Sequence, residues 1–235
     1  MRYSVYGDDF QILLIELAPG EEILAEAGAM VYMTDNVKME AKFSGGLKGV
    51  IKRALVRESI ALVSYTPLGG IGYVAFSLPF PGKIVAYDVT NTPIILQKDA
   101  FIAMQPTVQF DIAFQKKLGA ILFGGEGLIL EKFSGHGIVF FGAAGQIVEM
   151  YLQPGQVLKV STGKVVGWEA SVEYDIQRAG DIKTMLFGGE GIFVTTLRGP
   201  GRVWIQSTSL REIAASLLPY MPEGNTSRRS GFLKI

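Results

Sequence analysis

The six residues Leu122-Phe123-Gly124-Gly125-Glu126-Gly127 recur unchanged as Leu186-Phe187-Gly188-Gly189-Glu190-Gly191. Each copy leads into an apolar run, a glycine-rich turn and a second apolar run: Leu128 to Phe133 and Ile138 to Phe141 after the first, Ile192 to Leu197 and Arg202 to Gln206 after the second. Short runs rich in β-branched and aromatic residues around Gly turns read as β-hairpins. A weaker third copy lies upstream, where Glu58-Ser59-Ile60 falls opposite Glu126-Gly127-Leu128 and Glu190-Gly191-Ile192. Ile60 to Tyr65 and Ile71 to Ser77 then read as the hairpin of a first unit. The match extends further, since Pro81-Gly82-Lys83-Ile84-Val85 aligns with Ala144-Gly145-Gln146-Ile147-Val148, and Asp111-Ile112 with Asp175-Ile176. A period of about 65 residues exceeds the usual solenoid unit, and one unit alone cannot cover both faces of its sheets. The expected fold is all-β: a pseudo-threefold β-body of three related units, about 12–88, 89–152 and 153–207, resembling a sandwich or double-stranded β-helix. No linker interrupts it, so 1–220 reads as a single domain.

Composition narrows the function. The 22 Lys and Arg balance 22 Asp and Glu, which removes any general attraction to nucleic acid. There is no Cys, hence no disulfide, thiolate metal site or cysteine nucleophile, and with His136 as the single histidine any site needing two or three imidazoles is ruled out within one chain. The stretch Ser59 to Gly82 carries no charge and is long enough to cross a bilayer, but Pro67, Gly69, Gly70, Gly72, Pro79 and Pro81 would break such a helix repeatedly. The N-terminus has no basic region followed by an apolar stretch, so secretion is not expected and a cytoplasmic location is.

Two short helices are expected. Leu47, Val50, Ile51, Ala54 and Leu55 have helical spacing with Lys48, Lys52, Arg53 and Arg57 around them, giving a basic amphipathic helix over 47–57. The second, 210–218, starts at a capping box, Ser209 to Glu212, and stops before Pro219; a mobile polar tail, 221–235, follows.

The repeated Gly-Gly-Glu-Gly boxes, Gly45-Gly46-Leu47 with Lys52-Arg53, Glu58-Ser59 and Pro79-Phe80-Pro81-Gly82-Lys83-Ile84 resemble the altered-inheritance-of-mitochondria biogenesis family, over roughly Gln11 to Leu218. The resemblance implies a β-rich fold similar to the tryptophan RNA-binding attenuation protein, frequent trimeric assembly and no established enzymatic activity. Mitochondrial relatives are linked to inner-membrane organisation. The lack of a transit peptide points to a prokaryotic member.

Glu58, Glu126 and Glu190 are the leading constellation, because three equivalent carboxylates could gather on an axis around a hard cation; as repeated turn residues accepting backbone N–H bonds they need no ligand. The Gly-Gly-Glu-Gly boxes precede strands rather than a helix and lack the Walker ending, which argues against a phosphate cradle. No metal, cofactor or catalytic residue is assigned, and His136 reads as an exposed turn residue. The expected function is a non-enzymatic, homo-oligomeric scaffold or interaction protein, with a trimer implied by the resemblance. The alternative is a module for a small ligand or a membrane surface, using Lys48, Lys52 and Arg53 on the basic helix or a cleft between repeats.

Overall fold

The computed structural model describes residues 1–42, 62–116, 128–178 and 193–221. The protein is all-β, with one short α-helix among the described residues. A leading strand, β1 (Arg2–Tyr6), precedes three copies of a six-strand module. Module one comprises β2 (Ile12–Leu17), β3 (Ile23–Glu26), β4 (Met30–Met33), β5 (Val37–Lys42), β6 (Leu62–Pro67) and β7 (Gly72–Ser77). Module two comprises β8 (Gly82–Asp88), β9 (Ile94–Gln97), β10 (Phe101–Met104), β11 (Val108–Lys116), β12 (Leu128–Gly135) and β13 (Ile138–Ala144). Module three comprises β14 (Ile147–Leu152), β15 (Val157–Ser161), β16 (Val165–Glu169), β17 (Glu173–Arg178), β18 (Phe193–Arg198) and β19 (Gly201–Gln206).

Pairing is the same in every module and antiparallel throughout. The sixth strand lies between the first and third, and the fifth between the fourth and second. Modules join where the second strand of one pairs with the third strand of the next, β3 with β10 and β9 with β16. Two six-stranded sheets result, ordered β5-β6-β3-β10-β13-β8 and β11-β12-β9-β16-β19-β14. The outer halves remain separate as β1-β2-β7-β4 and β15-β18-β17.

This pairing corrects the hairpin expectation. The strands on either side of each Gly turn exist, but β6 and β7, β12 and β13, and β18 and β19 belong to different sheets. Both edges of each fifth and sixth strand already pair with other neighbours, leaving no N–H or C=O row for a hairpin ladder. The turn instead carries the chain from one sheet to the sheet facing it. At the middle turn, Gly135 and Gly137 take φ of 96° and 123°, the left-handed region in which a Cβ is unfavourable. Across the layers, Tyr65 on β6 meets Phe76 on β7 edge to face at 5.2 Å, and Phe101 stacks on Phe133 at 5.1 Å.

The core strands are apolar on both faces because each is central in a sheet and also lies under the opposite sheet. Ile138–Ala144 is buried at every position after the first. Trp168 and Trp204 are fully enclosed. A second internal repeat marks the turn from third to fourth strand, where the N–H groups of Val37, Val108 and Val172 donate to Thr34, Gln105 and Glu169 carbonyls. All three valines are buried, so one turn and one anchor recur in every module.

The helix α1 (Leu210–Leu217) forms with its capping box complete: Ser209 accepts from the Glu212 N–H, and the Glu212 side chain accepts from the Ser209 N–H. Lys164 pairs with Glu212 and ties the helix start to the body. Its apolar residues Leu210 and Leu217 are exposed. The expected basic helix 47–57 and, apart from Met221, the expected tail lie outside the described residues.

Candidate functional site

Glu58, Glu126, Glu190, Lys48, Lys52 and Arg53 all fall outside the described residues. His136 is exposed in the turn between β12 and β13, with its backbone N–H donating to the Thr107 carbonyl. Among the described residues, no group of three or more His, Cys, Asp or Glu is placed to hold a metal ion.

Two clusters of ionisable side chains, each built around a buried carboxylate, carry no sequence motif. In the first, Glu169 at the end of β16 accepts from the Tyr87 hydroxyl at 2.8 Å and from the Arg202 backbone N–H at 2.9 Å. The Arg202 guanidinium lies 3.9 Å from Glu169 and 3.6 Å from Glu149, and Glu149 accepts from Trp204 Nε1 at 2.8 Å. Burial, followed by the hydrogen bond and negative charge of Glu169, raises the Tyr87 phenol far above its ordinary range, so Tyr87 is a fixed donor.

Module equivalence explains the place of Glu169. Thr34, Gln105 and Glu169 occupy one position at the C-terminal end of the third strand, and each accepts a backbone N–H from the sixth strand: Tyr73 to Thr34 at 3.0 Å, Ile138 to Gln105 at 2.8 Å and Arg202 to Glu169 at 2.9 Å. A bulge in the third strand accompanies each of them. The carboxylate is therefore the module-three version of a strand fastener, with each oxygen held by one of its own neighbours.

The second cluster sits where modules one and two join. Glu131 on β12 is 1% exposed, and its Oε2 has no hydrogen-bond partner among the described residues. Glu26 ends β3, and Lys98 and Asp99 lie on the short 3-10 turn Lys98–Ala100 before β10. Burial first, then the Glu26 charge, pushes the Glu131 carboxyl up to about 9; burial, then Asp99, pushes Glu26 up to about 7; Lys98 pulls both down. The four residues come from three separate segments, and no spacing rule in the sequence could have gathered them.

A third feature is a pair of open strand edges. Each internal joint pairs a second strand with a third strand, yet β4, the third strand of module one, and β15, the second strand of module three, have no such partner among the described residues. Val31 and Tyr32 on β4 are 46% and 49% exposed, and Val157 on β15 is 43% exposed. By contrast, no large apolar side chain described between residues 72 and 147 is exposed, so the described part of the middle module, flanked on both sides, presents none.

A family model described as mitochondrial biogenesis AIM24 matches residues 3–208. An uncharacterized protein of Streptococcus pyogenes serotype M6 is 30% identical over 230 residues, covering 94% of this chain and 92% of that protein. An X-ray crystal structure of another Streptococcus pyogenes protein superposes with a TM-score of 0.78 at 28% identity, covering 94% of this chain and 99% of the other.

Proposed function

The chain belongs to the mitochondrial biogenesis AIM24 family, and from that premise we propose that it is a non-enzymatic scaffold whose copies join head to tail by strand pairing. The observation that carries this reading is the complementarity of the two open edges. Inside the chain, a second strand takes a third strand at both joints, with Ala25 opposite Ala103 and Leu96 opposite Gly167. The equivalent register between copies sets Val160 of β15 opposite Tyr32 of β4 in the next copy, and Lys159 opposite Met33. Unpaired edges with apolar side chains favour such pairing. An edge that meets a different edge is a heterologous contact, which closes into a ring when the rotation allows. We assign three copies to the ring, a number that rests on the family resemblance. The non-enzymatic reading is supported by the role of Glu169, which fastens strands through the Tyr87 hydroxyl and the Arg202 backbone N–H.

The absence of native cysteine makes the test direct. Tyr32→Cys and Val160→Cys are prepared as separate proteins, mixed, and oxidised. Opposite residues of an antiparallel pair lie about 4.5–5.5 Å apart at Cα, within disulfide reach. A covalent dimer that forms in the mixture and not in either protein alone is the expected result. A chain that stays monomeric by native mass spectrometry at micromolar concentration, with no cross-link, refutes the proposal.

A further inference from the structure

The joint between modules two and three contains a neutral polar link: Gln97 Nε2 donates to the Thr162 carbonyl at 2.9 Å, and the Thr162 and Thr195 hydroxyls lie 3.0 Å apart. Strand register fixes what stands at the same three places one joint earlier. Gln97 pairs with Leu130 as Glu26 pairs with Leu62, and Val160 pairs with Thr195 as Leu96 pairs with Glu131. Thr162 and Lys98 both open the short turn before a third strand. Gln97, Thr162 and Thr195 are therefore replaced by Glu26, Lys98 and Glu131. The corner that is neutral in one joint carries two carboxyl groups and one ammonium in the other, with Asp99 beside them.

One ammonium cannot neutralise both Glu26 and Glu131, the exposed Asp99 adds a further negative charge, and Glu131 is nearly free of solvent, with one oxygen lacking any partner among the described residues. Its ladder neighbours, Leu96 on β9 and Ile112 on β11, are apolar. The charged groups acting on it are Glu26 on β3 and Lys98 and Asp99 on the turn. An ionised carboxylate is costly in such a place, and the inexpensive remedy is to keep the proton.

We propose that this joint is a proton-binding site: Glu131 is held as the neutral acid beside Glu26, and its ionisation loosens β3 from β10. The ladder there is short, with Ala25 opposite Ala103 and Leu24 opposite Met104, so it is the place where a new buried charge tells most. The direction of linkage follows from the raised carboxyl. The folded protein holds the proton to about pH 9, whereas an unfolded Glu releases it near 4.5. The associated stability is complete below about pH 4.5, declines as pH rises, and is lost by about pH 9. This site is independent of how copies meet.

The test is a titration of the full chain carrying 13C-labelled glutamate carboxyls, followed by NMR from pH 5 to 10, together with urea unfolding across that range. One carboxyl is expected to stay protonated at pH 8, above the range in which Glu26 titrates, and to vanish in Glu131→Gln. The folding constant of the wild type, relative to Glu131→Gln, should fall by about tenfold per pH unit between pH 5 and 9. Glu26→Gln should move the midpoint of Glu131 downward by removing a like charge, and this variant decides the matter if Glu131→Gln does not fold. A Glu131 carboxyl that titrates below pH 6 in the folded protein overturns the proposal, as do parallel stability profiles for wild type and Glu131→Gln.

Discussion

Removing the side chain at the position shared by Thr34, Gln105 and Glu169 should cost progressively more from module one to module three. Thr34 is half-buried, accepts one N–H from Tyr73 at 3.0 Å and donates to Asn36 at 2.7 Å. Water can replace part of this, so Thr34→Val should cost about 1 kcal/mol. Gln105→Ala leaves the Ile138 N–H without its 2.8 Å acceptor and should cost about 1–2 kcal/mol. Glu169→Ala removes two charge-assisted bonds, from Tyr87 at 2.8 Å and Arg202 at 2.9 Å, and strands a buried phenol; the expected cost is about 3–5 kcal/mol. Glu169→Gln reproduces the residue that module two uses at this place, keeps an acceptor for the Arg202 N–H, and should recover roughly half of that loss. Urea unfolding followed by tryptophan fluorescence measures the series, since Trp168 and Trp204 are both buried. A loss for Glu169→Ala no larger than that for Thr34→Val would refute the equivalence argument.

The interface variants Val31→Lys and Tyr32→Glu alter side chains exposed in a single copy, so they should lower oligomer mass while changing monomer stability by less than about 0.5 kcal/mol; size-exclusion light scattering and urea melts at low concentration check both. A Cβ on Gly167 would come within 2.5 Å of the Ile95 carbonyl across the second joint, so Gly167→Ala should destabilise by about 2 kcal/mol or more, read as a lower urea midpoint. Ser209→Ala removes the cap of α1 and should cost about 1 kcal/mol locally. Faster amide exchange at Glu212 with an unchanged global melting temperature is the expected signature, because α1 buries no residue in the body.

The repeated Leu-Phe-Gly-Gly-Glu-Gly boxes made the duplication legible, and both stand immediately before equivalent strands, β12 and β18. Strand existence was legible for the same reason, since runs such as Ile138 to Phe141 leave little choice but a buried strand. The capping box of Ser209 and Glu212 could be read directly because every bond in it is local. Strand pairing could not. A Gly turn between two apolar runs is compatible with a hairpin and with a passage between facing layers, and the outcome depends on whether distant strands have taken both edges. Leu62–Pro67 pairs with β5 and β3, while Gly72–Ser77 pairs with β2 and β4, so the nearest neighbour in sequence is excluded. The buried polar clusters follow the same logic. Glu26, Lys98 and Glu131 are ordinary charges in the sequence, and Glu169 and Tyr87 are 82 residues apart. Only the pairing of one module's second strand with the next module's third strand brings each group into one corner and withdraws Glu131, Glu169 and Tyr87 from water. Periodicity and local hydrogen bonding are written along the chain, whereas desolvation and partner choice are properties of surfaces that exist only after the layers have closed.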